Sequence, residues 1–233
     1  MQVRWSFQQV RDTLTIRAQT ALLVAAVCTA AVALAATGAA YMARSGVAGA
    51  ADRELQSLAK NMADRLDQHM FERYREIKNI ASFPTLRDVW QDNPAEVQET
   101  LERVQSSLPD YAWLGFATAD GNVRAATKGM LEGVSVGGRP WFINGLQAPT
   151  VEDVHDAKLL DALLRSSPDE APFRFVDVAV PITAPDGSVA GVLGAHMSWT
   201  WAEDVKRTVL SGRQANGADL WVLSHNGSVL IGP

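Results

Sequence analysis

The chain has 233 residues, of which 47% are hydrophobic and 20% charged, and its formal net charge at pH 7 is −5. This acidic balance, with no one-sided basic patch after Arg44, argues against nucleic acid as a partner. The single cysteine, Cys28, lies within an apolar run, so no intrachain disulfide can stabilise the protein. Its folded part must therefore be stabilised by a hydrophobic core.

A long apolar segment comes first along the chain. No charged side chain lies between Arg17 and Arg44, and this run exceeds the ~20 apolar residues that cross a bilayer as a helix. We predict a transmembrane helix over residues 18–43. A buried alanine-rich helix is one alternative, and a signal peptide cleaved near "GVAGA" is another. The run is longer than the ~7–15 apolar residues of a signal peptide, which favours an uncleaved anchor.

The arginines that flank this segment indicate its orientation. Three precede it, whereas Arg44 and Arg53 follow it and Arg53 stands between Asp52 and Glu54. An excess of basic residues marks the cytoplasmic side of a membrane helix. We therefore predict that residues 1–17 are cytoplasmic and that everything after about residue 44 lies outside the membrane.

Residues 44–82 have the pattern of a stalk helix. Apolar side chains recur there at steps of three and four, which is the spacing of a helical stripe. This apolar stripe could face an identical copy and form a homodimer, or it could face the chain's own sheet. His69 has no second histidine or cysteine at helical spacing, so we expect no metal. The stripe consists of Leu55, Leu58, Met62, Leu66, Met70, Tyr74 and Ile77.

The next helix has a recognisable start. Asn93, Pro94 and Glu96 are the residue types of a helix cap, a first-turn proline and a capping box. A further helix is expected over residues 199–210, where "WTWAEDVKRTVL" is amphipathic.

Three pairs of apolar runs surround tight-turn residues, which predicts three β-hairpins. The carboxylates of "VEDVHDAKLLD" lack the oxygen pattern of a calcium loop, so we expect a solvated loop there, followed by a short helix. These elements together predict an α+β fold with an antiparallel sheet. The three turns are at Asp120–Gly121, Pro185–Asp186–Gly187 and Asn226–Gly227.

The order of these elements, with "GRPWF" and "VAVPITAPDGSVAGVLGAHMS", resembles the bacterial double Cache (PAS-like) extracytoplasmic sensor domain of transmembrane signalling proteins. The resemblance covers residues from about 45 to 233. It implies a membrane-distal PAS-like module over residues 83–212 and the truncated start of a second, membrane-proximal module over residues 213–233. It also implies a single-pass protein of the bacterial inner membrane with a periplasmic sensor. Proteins of this kind end in cyclic-diguanylate synthase, histidine kinase or chemoreceptor output domains.

The same resemblance implies site residues. In its amino-acid-binding members, an Arg-x-Trp pair stands opposite two aspartates that receive the ligand's ammonium. Arg139, Trp141 and Asp153 match this pattern, whereas His196 replaces the final aspartate and valines replace two tyrosines. A histidine removes a fixed negative charge from that end of the pocket.

The carboxylate end of such a pocket is retained. A guanidinium offers a planar pair of donors suited to a carboxylate, and an indole adds a donor and an apolar wall. We therefore expect a small anion, such as a carboxylic acid, to be held by Arg139 and Trp141, with Asp153 and His196 opposite.

Two aromatic residues are further candidates for ligand contact, because Tyr111 and Trp113 open a strand beside the proposed pocket. A purely structural interpretation remains open for the whole set. In that interpretation Arg139 pairs with Asp153 or Asp177, and the aromatic residues belong to the core.

No catalytic residues or cofactor are expected within this chain, because its serines and histidines form no nucleophile motif or triad spacing. The predicted function is extracytoplasmic small-molecule sensing and transmembrane signalling. The alternative is a membrane-anchored scaffold with the same fold and no pocket ligand. A cavity between Arg139, Trp141 and His196 would favour the sensor.

Overall fold

The computed structural model describes residues 15–83, 89–156, 158–165, 167, 172–211 and 218–232. Pro84, which follows the predicted stalk helix, and two of the three arginines before the apolar segment, Arg4 and Arg11, lie outside the described residues. The chain divides into two compact units between Ser57 and Leu58.

A single helix, α1, runs from Ile16 to Ser82. Within the described part of the chain, α1 is the one helix long and apolar enough to cross a membrane, and the side chains of its most apolar window are not buried. The predicted transmembrane segment and the predicted stalk are therefore parts of one continuous element. No proline lies between Ile16 and Ser82, so nothing removes a backbone hydrogen bond from the helix.

Short helices and two sheets make up the rest of the described chain. The helix cap is confirmed, because Asn93 Oδ1 accepts from the backbone N–H of Glu96 at 3.4 Å. The reciprocal bond of a capping box is not formed, since Glu96 Oε2 accepts from Asn93 Nδ2 at 3.1 Å and the backbone N–H of Asn93 donates to the Val89 carbonyl at 3.1 Å. The elements are α2 (Val89–Asp92), α3 (Pro94–Ser107), β1 (Tyr111–Thr118), β2 (Val123–Ala126), α4 (Pro140–Gly145), β3 (Thr150–Asp156), α5 (Lys158–Leu164), β4 (Arg174–Thr183), β5 (Val189–Ser198), α6 (Thr200–Ser211), β6 (Val222–Leu223) and β7 (Val229–Ile231).

Strands β1 to β5 form one antiparallel sheet in the order β2-β1-β5-β4-β3. The α+β fold class and all three hairpins are confirmed, and β6 and β7 pair in a separate small sheet. The prediction of a solvated loop at "VEDVHD" is wrong, because these residues form strand β3 at the edge of the large sheet. Charged side chains are common on edge strands, where they discourage pairing with other chains.

One surface of the large sheet, which we call the helix face, packs on helices. Leu114 and Phe116 of β1 belong to the same core cluster as Leu58, Met62 and Ile77 of α1. From Leu58 onward the apolar stripe of α1 thus faces the chain's own core, which was the second alternative considered above. The homodimer stays a prediction.

Polar side chains also join α1 to this face. His69 Nε2 lies 3.0 Å from Asp110 Oδ2, and the His69 ring stacks on Trp201 of α6 with centroids 4.2 Å apart. The hydroxyl of Tyr111 donates to Glu76 Oε2 at 3.1 Å. Burial, and then the neighbouring Glu76 carboxylate, raises the pKa of Tyr111 well above its usual range. We call His69, Asp110 and Trp201 the polar junction.

Candidate functional site

The opposite surface of the large sheet, which we call the site face, holds a cavity of ≈ 300 Å³. Its walls come from the segment between β2 and α4, the start of α4, β3, α5, and the β4 and β5 residues Asp177 and His196. Much of the lining is apolar. The apolar and aromatic lining residues are Leu131, Val134, Val136, Pro140, Trp141, Val154, Leu159 and Leu160.

Four of the six site residues predicted from sequence line this cavity: Arg139, Trp141, Asp153 and His196. Tyr111 lies on the helix face and points to α1, where its hydroxyl meets Glu76. The expectation that Tyr111 stands beside the pocket is therefore wrong, because its side chain lies on the other face of the sheet. Trp113 is fully buried behind the cavity, and its indole N–H donates to the Met130 carbonyl at 3.0 Å.

Arg139 stands at the N-cap of α4, immediately before Pro140. Its backbone is extended there, at φ −88° and ψ 136°, and Pro140 begins the helix with a fixed φ. The side chain is exposed at the cavity wall. Within the described part of the chain its guanidinium makes no hydrogen bond or ion pair. The pairing with Asp153 or Asp177 in the purely structural interpretation is therefore not observed, and these carboxylates lie beside histidines instead.

Trp141 is 4% exposed and forms a wall of the cavity. Its ring lies edge-on to His196, with centroids 5.6 Å apart, and to Trp113 at 6.0 Å. Gly194 on β5 allows this packing, because a Cβ at that position would lie 2.7 Å from Cζ3 of Trp141. The ring is thus held in one place by core contacts and remains available to a ligand on its cavity side.

A buried carboxylate joins two histidines at the sheet side of the cavity. His196 Nδ1 is hydrogen-bonded to Asp177 Oδ1, and His155 Nε2 lies 3.3 Å from Asp177 Oδ2. Asp177 is 2% and His196 6% exposed. We call these three side chains the imidazole–carboxylate cluster.

Sequence reasoning assigned no role in the site to His155 or Asp177. The signal was present in the second hairpin, because its turn at Asp186–Gly187 sets the register that makes Asp177 and His196 direct cross-strand partners. His155 reaches the same carboxylate because β3 pairs with β4, whereas the sequence predicts a loop at this position.

The other carboxylates of the cavity have partners within the chain. Glu152 Oε1 accepts from Asn144 Nδ2 at 2.8 Å and from Thr150 Oγ1 at 3.1 Å. Asp153 Oδ2 lies 3.4 Å from His225 Nδ1, and both side chains are exposed. The cavity therefore combines acids that already have partners with one guanidinium that has none among the described residues.

Helix α5 is fixed behind the cavity by Asp161. This carboxylate is hydrogen-bonded by Arg165 and accepts from the backbone N–H of Phe173 at 2.8 Å. The Arg165 hydrogen bond, and then that of Phe173, holds the pKa of Asp161 below its usual value. The bond to Phe173 connects α5, whose Leu160 lines the cavity, to the residues just before β4.

No protein-family model matches this sequence, and no curated protein matches it at a significant level. Solved structures do resemble it. The sensor domain of the V. cholerae histidine kinase DctB aligns over 66% of this chain and 58% of its own, at 17% identity and a TM-score of 0.51. The described chain thus corresponds to little more than half of that domain.

Two chemoreceptor domains align over more of the chain. The ligand-binding domain of the Pseudomonas aeruginosa PAO1 amino acid chemoreceptor PctC, in complex with GABA, aligns over 78% of this chain and 75% of its own, at 18% identity and a TM-score of 0.55. The ligand-binding domain of the Pseudomonas fluorescens chemoreceptor CtaA, in complex with L-serine, aligns over 78% and 72%, at 19% identity and a TM-score of 0.54.

These similarities establish the fold, which is that of bacterial sensor domains of histidine kinases and chemoreceptors. These neighbours are sensor and ligand-binding domains.

Proposed function

We propose that this protein is a membrane-anchored extracytoplasmic sensor of a small molecule that carries a carboxylate or a similar anionic group. The observation that carries the proposal is the guanidinium of Arg139, which stands unpaired among the described residues at the wall of a cavity beside the buried Trp141.

The chemistry of Arg139 and Trp141 suits a carboxylate. A guanidinium donates two parallel hydrogen bonds to the two oxygens of a carboxylate, and such charge-assisted bonds are the strong ones. Pro140 limits the backbone between the two side chains, so less conformational entropy is lost when they bind. GABA and L-serine, bound by the PctC and CtaA domains, both contain a carboxylate, which supports this assignment by analogy of fold.

Signalling in this proposal passes through α1. The N-terminal part of α1 would anchor the protein in the bacterial inner membrane, with residues after about 44 in the periplasm. A ligand changes the population of two states only by its differential affinity for them. The cavity must therefore change shape when α1 moves. The same proposal includes a homodimer, a second module starting near residue 213 and an output domain beyond the chain.

The test uses the full chain in detergent. Binding of short monocarboxylates and dicarboxylates is measured by isothermal titration calorimetry and by the shift in melting temperature. We expect at least one carboxylate to bind, and Arg139→Gln to raise its Kd about tenfold or more, since the charge-assisted bonds are lost.

Arg124→Gln is the matched control, because Arg124 is an exposed arginine of β2 outside this cavity. Its Kd should equal that of the unmodified protein. If no carboxylate binds, or if the Arg139 and Arg124 variants behave alike, the sensor proposal is wrong. The scaffold alternative, with the same fold and no ligand, then takes its place.

A further inference from the structure

We infer that Glu152 is a specificity-determining residue of the cavity, which accepts a hydrogen bond from the far end of the ligand and disfavours a second carboxylate there. The inference rests on the proposed carboxylate-binding function. It adds the ligand class, which is a short monocarboxylate with a hydrogen-bond donor, such as an amide, a hydroxyl or an ammonium, at its other end.

The hydrogen bonds of Glu152 leave its negative charge uncompensated. This half-buried residue of β3 lines the cavity. Its Oε1 accepts from Asn144 Nδ2 at 2.8 Å and from Thr150 Oγ1 at 3.1 Å, and both of these donors are neutral. Within the described part of the chain, Oε2 makes no hydrogen bond or ion pair. This second oxygen can therefore accept a hydrogen bond from a ligand.

The other acids that line the cavity differ from Glu152, because each lies beside a basic side chain. Guanidinium and imidazole groups donate to a carboxylate, and they offset its charge when they are protonated. Glu152 forms no ion pair among the described residues, so its charge is available to a ligand. The other pairs are Asp153 with His225, Asp156 with Arg174, and Asp177 with His155 and His196.

The charge of the whole lining disfavours a dianion. Among the described residues, the cavity is lined by four carboxylates, one guanidinium and two imidazoles. Even when both imidazoles are charged, the positive groups do not outnumber the negative ones. A monoanion can place its carboxylate on Arg139, whereas the second carboxylate of a dianion would meet Glu152, and like charges repel each other.

Arg139 and Glu152 are positioned by the two ends of α4. Arg139 is the N-cap of this helix, and Asn144, which donates to Glu152, lies five residues further on. Five helical residues advance about 7–8 Å along the axis. Two opposite charges thus line one cavity without forming an ion pair with each other. A ligand that contacts both needs a carboxylate and a donor group several bonds apart, and the apolar lining suits the hydrocarbon between them.

Dicarboxylates and their half-amides test this inference as matched pairs. Succinate and succinamate differ only by an amide in place of one carboxylate, as do glutarate and glutaramate. Titration calorimetry on the full chain in detergent at neutral pH should give a Kd about tenfold or more lower for the half-amide in the pair that binds more tightly. Equal or tighter binding of the dicarboxylate in that pair overturns the inference and leaves the carboxylate proposal intact.

Glu152→Gln tests the role of this residue. Glutamine keeps an oxygen that accepts from Asn144 and Thr150, and it removes the negative charge. The ratio of the dicarboxylate Kd to the half-amide Kd should fall by about threefold or more, mainly through tighter binding of the dicarboxylate. Glu203→Gln, which changes an exposed glutamate of α6 outside the cavity lining, is the control and should keep the original ratio.

The outcomes distinguish the inference from the proposed function. An unchanged ratio in a folded Glu152 variant overturns the assignment of selectivity to Glu152. If the variant does not fold, the ratio measured on the unmodified protein decides. If no half-amide binds while another carboxylate does, the inference is wrong and the proposed function stands. If no carboxylate of any kind binds, the proposed function fails and the inference fails with it.

Discussion

The helix face and the site face of the large sheet bury polar groups in different ways. On the helix face Tyr111 hydrogen-bonds Glu76, and the buried nitrogens that have no hydrogen-bond partner among the described residues, such as the indole N–H groups of Trp90, Trp199 and Trp201, are enclosed in the core. On the site face the imidazole–carboxylate cluster is closed, but the charged guanidinium of Arg139 is left without a partner in the described chain beside an open volume.

This difference separates stability from recognition. A group whose partners are all within the chain stabilises the fold, whereas a charged group at a cavity without a partner is free to bind one from solution. We therefore expect changes on the helix face to alter stability and leave ligand selectivity unchanged. Changes on the site face should alter binding.

The largest expected effect is on the helix face. Ile77 of α1 is fully buried in the core cluster, so Ile77→Ala should lower the free energy of unfolding by about 2–5 kcal/mol. Chemical denaturation of the full chain in detergent measures this change. The Kd of a carboxylate that the unmodified protein binds should stay constant, and a changed Kd would show that the two faces are not separable.

An intermediate effect is expected where the ring of Trp141 rests on the sheet. Gly194→Ala places a methyl group within 2.7 Å of that ring and should cost about 1–3 kcal/mol by overpacking. Because Trp141 must move, carboxylate binding should weaken as well, as measured by calorimetry.

Gly138→Ala is the matched control for this change. A Cβ at Gly138 would meet nothing within 4 Å, so both stability and Kd should remain at the level of the unmodified protein. Equal behaviour of the two alanine variants would contradict the packing of Trp141 on Gly194.

The smallest effect is on the helix face and depends on pH. Tyr111→Phe removes the hydrogen bond to Glu76 and should cost about 1 kcal/mol at neutral pH. Because the folded-state pKa of Tyr111 is raised above its usual 10.0, its contribution is complete below that value and is lost as the pH rises above it. Unfolding curves of the protein and the variant should therefore converge in alkaline solution, and parallel curves would contradict this.

Local signals in the sequence predicted most of the fold. Turn residues located the three hairpins, the Asn93 cap located α3, and the amphipathic run at 199–210 matches α6 within one residue at each end. Strand β3 was missed, because its pairing partner lies about 25 residues downstream and edge strands carry charged side chains that resemble a loop.

The site was predictable in part for similar reasons. The residue pattern indicated Arg139, Trp141, Asp153 and His196, all of which line the cavity. Tyr111 was misplaced because β1 has an irregularity in its register between Tyr111 and Trp113. A strict alternation would put both on one face, whereas the irregularity turns Tyr111 toward α1.

The polar junction has a consequence for engineering. His196 lines the cavity, and Trp201, five residues later, stacks on His69. Between them, the backbone N–H of Ser198 donates to the backbone carbonyl of Asp110 at 3.0 Å. Strand β5 passes into helix α6 with a single residue between them. A chimeric protein that keeps this cavity must therefore take β5, α6 and the facing turn of α1 together, because a splice between His196 and Trp201 would disconnect the cavity wall from the helix.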